Sequence, residues 1–188
     1  MFDIEFIVPY EELVNVVKLA FEEFSQRDQI NLHIKRMELE QAKQHHFFGE
    51  AIIARGLTAS YIKNLGLDIP LIELPIVGYD VIKAISQGMQ KFAPTHIAFI
   101  GTQDMIYGAE ALELYFQCKI SILQIEHHDD AVSVVGKGRE MGADLFIGGN
   151  KAYRAAVQAG YDAVRIQSGK EGVRQALNES LRVAKVRR

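Results

Sequence analysis

A single cysteine, Cys118, stands in 188 residues. That excludes an intrachain disulfide framework and a four-cysteine zinc site, and it fits a reducing, cytoplasmic setting. No apolar run reaches the ~18 residues of a membrane-spanning helix. A concentrated basic excess is missing as well: the formal net charge is −3 and the pI is near 6.1, which argues against a nucleic-acid-binding module. Only the end is basic, with Lys185, Arg187 and Arg188, and it reads as a solvated helix terminus or the start of a linker. Asp3 and Glu5 stand where a signal peptide needs basic residues, so export is not expected. There is no G-x-x-x-x-G-K-[ST] phosphate loop, no helix-turn-helix after the last helical pattern, and no low-complexity tract.

What is present is a globular composition, 48% apolar and 24% charged. The length fits one ordinary domain or two small lobes. Short β-branched runs alternate with helical periodicity throughout. Residues 4–8 form a run stopped by Pro9 and predict a buried strand. Leu13, Val17, Ala20, Phe21 and Phe24 then fall on one helical face. Further strands are expected at 30–34, 51–54, 70–74, 96–100, 120–125, 145–147 and 163–166. Further helices are expected at 58–65, 79–92, 105–116, 129–141 and 151–159. Val173, Ala176, Leu177, Leu181 and Ala184 mark a terminal helix. Gly66 and Gly160 read as C-caps.

Eight strands alternating with helices predict an α/β fold with parallel sheets flanked by helices. Because the halves look alike, two Rossmann-like lobes of about four strands each are expected. The first lobe is placed at 1–77 and the second at 78–169, with a terminal helix, 170–188, able to return to the first.

In open parallel sheets, ligands bind beyond the carboxyl ends of the strands. The residues there are Pro9-Tyr10, Arg55-Gly56-Leu57-Thr58, Gly78-Tyr79-Asp80, Gly101-Thr102, Gly148-Gly149-Asn150 and Ser168-Gly169. Glycines let backbone N–H groups approach a ligand, and helix N-termini favour negative charge. Thr58, Thr102 and Ser168 offer hydroxyls. Arg55, directly after a buried strand, can clasp a carboxylate or phosphate in two places. The set suits a small, oxygen-rich anion. The same residue types also serve as turn formers and helix caps.

Ala51-Ile52-Ile53-Ala54-Arg55-Gly56-Leu57-Thr58-Ala59 resembles a segment of a known family. So do Ile69-Pro70-Leu71-Ile72-Glu73-Leu74-Pro75-Ile76-Val77-Gly78-Tyr79-Asp80-Val81, the pair Gly148-Gly149, and Ile166-Gln167-Ser168-Gly169-Lys170-Glu171-Gly172-Val173-Arg174, in that order. The family is the N-terminal sensor domain of propionate-catabolism activators, the PrpR-type sigma-54-dependent regulators. The resemblance spans essentially the whole chain. It implies a two-lobed fold like that of periplasmic binding proteins, with an effector cleft between the lobes. It also implies a non-enzymatic sensor of a small metabolite, controlling the ATPase and DNA-binding domains of the same regulator. In the propionate regulators the effector is the tricarboxylate 2-methylcitrate. Leu57 and Val77 stand where the family often has glycine and serine, so the effector's identity is not carried over. A fragment of a longer regulator is favoured over a stand-alone relative, and a homodimer is a further expectation.

Other chemistry is weaker. Gly136-Lys137-Gly138-Arg139-Glu140-Met141-Gly142 has the wrong spacing for a dinucleotide fingerprint and lies inside an expected helix. His45-His46 and His127-His128, the latter followed by Asp129 and Asp130, are adjacent pairs whose side chains point apart. They read as polar loops and caps, and His33 and His96 as structural. Cys118 reads as a structural thiol, which weakens an isomerase of the aspartate-racemase type that needs one cysteine per lobe. Glu73 and Asp80 are candidate acid/base carboxylates, although a helix dipole accounts for Asp80. The expectation is therefore a sensor domain without cofactor or metal, binding an organic acid or other anion through Tyr10, Arg55, Gly56, Thr58, Gly78, Tyr79, Gly101, Thr102, Gly149, Asn150, Ser168 and Gly169. The alternatives are an isomerase or lyase using cleft carboxylates, and a dimerisation module without a ligand.

Overall fold

The computed structural model describes residues 1–106 and 108–188, with the side chains of Asp104, Met105 and His128 outside the description. The chain divides into two compact units. One comprises Met1–Val77 and Ser168–Arg188; the other is Gly78–Gln167. Each holds a four-stranded parallel sheet flanked by helices, which is the α/β class that the alternating pattern predicts.

The first unit contains β1 (Phe2–Val8), α1 (Glu11–Glu22), β2 (Ile30–Arg36), α2 (Leu39–Ala42), β3 (Ala51–Ala54), α3 (Gly56–Asn64) and β4 (Leu71–Glu73). Its strand order is β2-β1-β3-β4. β1 is a central strand, and its side chains alternate between the two faces. Ile4, Phe6 and Val8 pack in one cluster with Leu13 and Val17 of α1. Ile7 packs on the other face with Ile52, Ala54, Ala59 and Ile62. The long helix α9 (Lys170–Arg187) completes this unit. Its Val173, Ala176, Leu177 and Leu181 belong to the first cluster. Burying Val173 and the two leucines stabilises by roughly 1.5–3 kcal/mol per side chain, so α9 is an integral layer of the unit.

The second unit contains α4 (Gly78–Phe92), β5 (His96–Gly101), α5 (Gln103–Ile106), α6 (Leu112–Phe116), β6 (Lys119–Gln124), α7 (Ala131–Glu140), β7 (Leu145–Gly148), α8 (Asn150–Gln158) and β8 (Ala163–Arg165). Its order, β6-β5-β7-β8, repeats that of the first. Close glycine contacts show which helix covers which face. An added Cβ at Gly138 of α7 would lie 2.9 Å from the Phe146 ring, and one at Gly88 of α4 would lie 2.5 Å from Leu145. Phe146 and Leu145 are neighbours on β7 and point to opposite faces.

Two expectations change. The single helix expected over 105–116 is broken into α5, a 3₁₀ turn (Ala109–Ala111) and α6. Gly108 has φ 79°, a left-handed conformation that no continuous α-helix contains. Tyr107, inside that expected helix, lies outside the described residues. The expected helix at 129–141 starts later, at Ala131, after a 3₁₀ turn (His128–Asp130). The short helix α2 has no apolar periodicity long enough to announce it. It is held by a reciprocal capping box between Glu38 and Gln41.

Candidate functional site

In each unit the first strand is central; the chain then builds to one side and returns to build on the other. The place where this order reverses lies between β1 and β3 in the first unit and between β5 and β7 in the second. The carboxyl ends of those strands flank the crevice where open α/β sheets bind ligands. Tyr10 follows β1 and Arg55 follows β3; Gly101 ends β5, with Thr102 next, and Gly149 and Asn150 follow β7. These members of the expected set therefore lie at the reversal points of the two sheets.

In the first unit three of them form one buried cluster. Arg55 Nη1 donates to Ser168 Oγ at 2.8 Å and to the Tyr10 hydroxyl at 3.3 Å. The Ser168 backbone N–H donates to the same Tyr10 oxygen at 3.3 Å. The guanidinium carbon lies 5.3 Å from the Tyr10 ring centroid, within cation–π range. Tyr10, Arg55 and Ser168 are 4%, 5% and 3% exposed.

The local structure explains why they meet. Tyr10 is the N-cap of α1, Arg55 of α3 and Gly169 of α9, and none of them caps its own helix with a side chain. Tyr10 and Arg55 instead turn to each other and to Ser168. Three helix N-termini are thereby gathered around one guanidinium at one sheet edge. Each contributes partial positive charge from its first N–H groups. Gly56, the first residue of α3, has φ 58°, a conformation that costs other residues roughly 1–2 kcal/mol. The chain therefore turns sharply between β3 and α3 at Arg55-Gly56. Thr58 lies in the first turn of α3 and is half-buried.

The second unit's candidates are more dispersed. Gly101 is buried, and its carbonyl accepts from the Ile125 N–H at 2.9 Å. Thr102 is half-buried and its carbonyl accepts from the Ile106 N–H. Gly149 is the N-cap of α8. Asn150 Oδ1 accepts from Arg165 Nη1 at 3.1 Å, and that guanidinium lies 5.4 Å from the Tyr153 ring. Sequence reading missed Arg165 and Tyr153, because neither sits in a glycine-containing strand end. Gly78 and Tyr79 open α4, where Tyr79 is 77% exposed.

The remaining chemistry-bearing residues have structural surroundings. His33 Nε2 meets Asp3 Oδ1 at 2.8 Å, and His96 Nε2 meets Ser121 Oγ at 2.7 Å. His45 pairs through Nε2 with the fully buried Glu5, whose other oxygen accepts from the Phe48 N–H at 3.1 Å. Among the described residues no group of three metal-ligating side chains converges. The His128 side chain lies outside them. Burial, then the Asp144 charge, pushes the Cys118 thiol pKa up, which is unfavourable for a nucleophile. Asp80 is buried in the first turn of α4. No helix among the described residues is long and apolar enough to cross a membrane.

Residues 26–188 match the family described as propionate catabolism activator, PrpR_N. The chain belongs to this family. The resemblance stated from the Arg55 and Gly78 segments is thus the family itself, and membership places the chain with regulatory domains. Among solved structures, the chain is similar to an NtrC family transcriptional regulator from Clostridium acetobutylicum. That likeness has a TM-score of 0.82 and 24% identity, and covers 99% of this chain and 98% of that one. It is also similar to an ABC domain from Streptococcus pneumonia in complex with L-Trp, with a TM-score of 0.52, 7% identity, and 97% and 85% of the two chains covered. A conserved domain protein from Vibrio cholerae gives 0.51 at 8% identity, covering 98% and 83%. At these identities the likeness is one of fold. No curated protein matches the chain significantly.

Proposed function

We propose that this PrpR_N-family chain is a ligand-sensing domain, not an enzyme, and that it takes a small carboxylate at the carboxyl ends of its strands. One observation carries this reading. The buried Arg55 guanidinium is oriented by Tyr10 and Ser168 amid the N-termini of α1, α3 and α9. Such an edge is electropositive and pre-organised. A side chain already fixed by packing loses little further entropy when it clasps a ligand. Arg55 pairs with an effector carboxylate, N–H groups near Gly56 and Gly169 cradle its oxygens, and Thr58 and Ser168 add hydroxyls.

The same proposal assigns Gly101, Thr102, Gly149 and Asn150, at the carboxyl ends of the second unit's strands, as further ligand-binding residues, with Gly78 and Tyr79 at the start of that unit. The ligand's different affinity for two conformations shifts their populations. The signal then passes to ATPase and DNA-binding domains of a sigma-54-dependent regulator in the cytoplasm.

The test is a thermal-shift and calorimetric screen of small di- and tricarboxylates. Ligand at 100 times its dissociation constant adds about 2.7 kcal/mol of stability, well within reach of such a screen. A carboxylate hit abolished by Arg55→Ala supports the role given to Arg55, and one weakened by Asn150→Ala supports that given to Asn150. A hit indifferent to Arg55→Ala removes Arg55 from the site. Consumption of the bound acid, followed by NMR, would overturn the non-enzymatic reading.

A further inference from the structure

We propose that the second unit carries an additional anion site at the β8 edge of its sheet, distinct from the Arg55 cluster of the first unit, which takes the phosphate monoester of a small polyhydroxylated molecule. A cavity of about 480 Å³ opens beside β8, the edge strand of its sheet. Gln87, Gln90 and Lys91 of α4, Tyr153 of α8, Arg165 of β8 and Gln167 beyond it supply its polar lining. Two cations and three carboxamides face this space, and among the described residues no carboxylate lines it.

Both cations are positioned. Arg165 is bonded to Asn150 Oδ1 and lies over Tyr153. Lys91 Nζ lies 5.1 Å from the centroid of the Phe92 ring, which also lines the cavity. A guanidinium and an ammonium at one cavity suit a doubly charged phosphate, through charge-assisted hydrogen bonds. The cavity is far larger than a phosphate, so the rest of the ligand meets the carboxamides. Each carboxamide both donates and accepts, which matches the dual character of sugar hydroxyls. Each aromatic ring already carries its cation on one face, so ring stacking of a base is less favoured than a polyol. All of these residues belong to the second unit and Arg55 is not among them, so failure of the Arg55 reading and failure of this site are told apart by Arg55→Ala, even though Arg165 is bonded to Asn150.

Titration of the full chain with ribose 5-phosphate, followed by NMR of the side-chain amides, tests it. Saturable shifts of Gln87, Gln90 and Gln167 are expected, with inorganic phosphate binding more weakly and ribose not at all. Lys91→Ala removes an exposed cation without touching the Arg165–Asn150 bond, and should weaken binding roughly tenfold, the loss of one charge-assisted contact. Arg55→Ala should leave it unchanged. Absence of saturable shifts with both phosphates overturns the proposal. So does binding that survives Lys91→Ala and Arg165→Ala alike, or binding that disappears in Arg55→Ala, which would place the phosphate at the strand ends of the first unit.

Discussion

Arg55 and Ser168 lie 113 positions apart in the chain, yet Arg55 Nη1 donates to Ser168 Oγ across 2.8 Å in the buried interior of the first unit. Their bond fixes the segment that opens α9 against the segment that opens α3. It is at once a structural tie and the device that aims a guanidinium. Ser168→Ala removes the acceptor and leaves the charged donor short of a bond. Hydrogen bonds to charged groups contribute about 1.5–3 kcal/mol, so a loss of that order is expected. Urea unfolding checks it through a lower midpoint at unchanged slope. The same variant should weaken the carboxylate found in a screen, since Arg55 is then less firmly oriented. Full stability in Ser168→Ala would show that the tie carries little energy.

Gly56 tests the turn that presents Arg55. With φ 58°, alanine there is strained whatever the surrounding space, and Gly56→Ala should cost roughly 1–2 kcal/mol. Gly78→Ala offers the contrast. An added Cβ there meets nothing within 4 Å and no positive φ is involved. Its stability should stay within about 0.5 kcal/mol of the parent. Thermal denaturation of the two variants side by side separates a conformational requirement from an incidental glycine.

Much of this arrangement was legible in the sequence, for physical reasons. Parallel strands buried on both faces leave short apolar runs such as Ile52-Ile53 and Phe99-Ile100, and the helices between them leave periodic apolar faces. The strand-end rule then nominates Tyr10, Arg55 and Ser168 one at a time. What stayed hidden is their mutual bonding, because that depends on the chain returning to the first unit at Ser168. The glycine pair Gly148-Gly149 shows the opposite limit. It reads as a ligand cradle, but Gly148 has a packing reason of its own: an added Cβ would lie 2.5 Å from the Ile100 carbonyl oxygen and 3.0 Å from Ala152 Cβ. The break at Gly108 was also concealed, because glycine within an apolar periodic stretch is equally compatible with a continuous helix.

Gly148→Ala follows from that contact. The obstacle is the backbone of the adjacent strand β5, which cannot swing aside as a long side chain would. Overpacking of this kind typically costs about 1–3 kcal/mol. The expected result is a lowered melting temperature with or without ligand. An unchanged melting temperature would mean that β5 and β7 separate easily, and would return Gly148 to the ligand-cradle reading.

Asp144 joins the starts of two strands and should govern acid stability in the second unit. Burial acts to raise its pKa, but the Thr95 and His96 N–H groups and the Thr95 hydroxyl together hold it below the ordinary aspartate value. Their distances are 3.0, 3.0 and 3.1 Å. A carboxylate whose folded pKa is depressed contributes stability above its unfolded pKa and loses it as pH falls through the folded one. Asp144→Asn should therefore be less stable than the parent at neutral pH, and the difference should shrink as the solution is acidified below the ordinary aspartate range. The same charge helps burial keep the Cys118 pKa high. Asp144→Asn should thus make Cys118 react faster with iodoacetamide at mildly alkaline pH, while still more slowly than in the unfolded chain because burial remains. Measuring both on one variant separates the two effects. A stability difference constant with pH would show that Asp144 acts through geometry alone, and an unchanged alkylation rate would leave burial as the sole cause of the sluggish thiol.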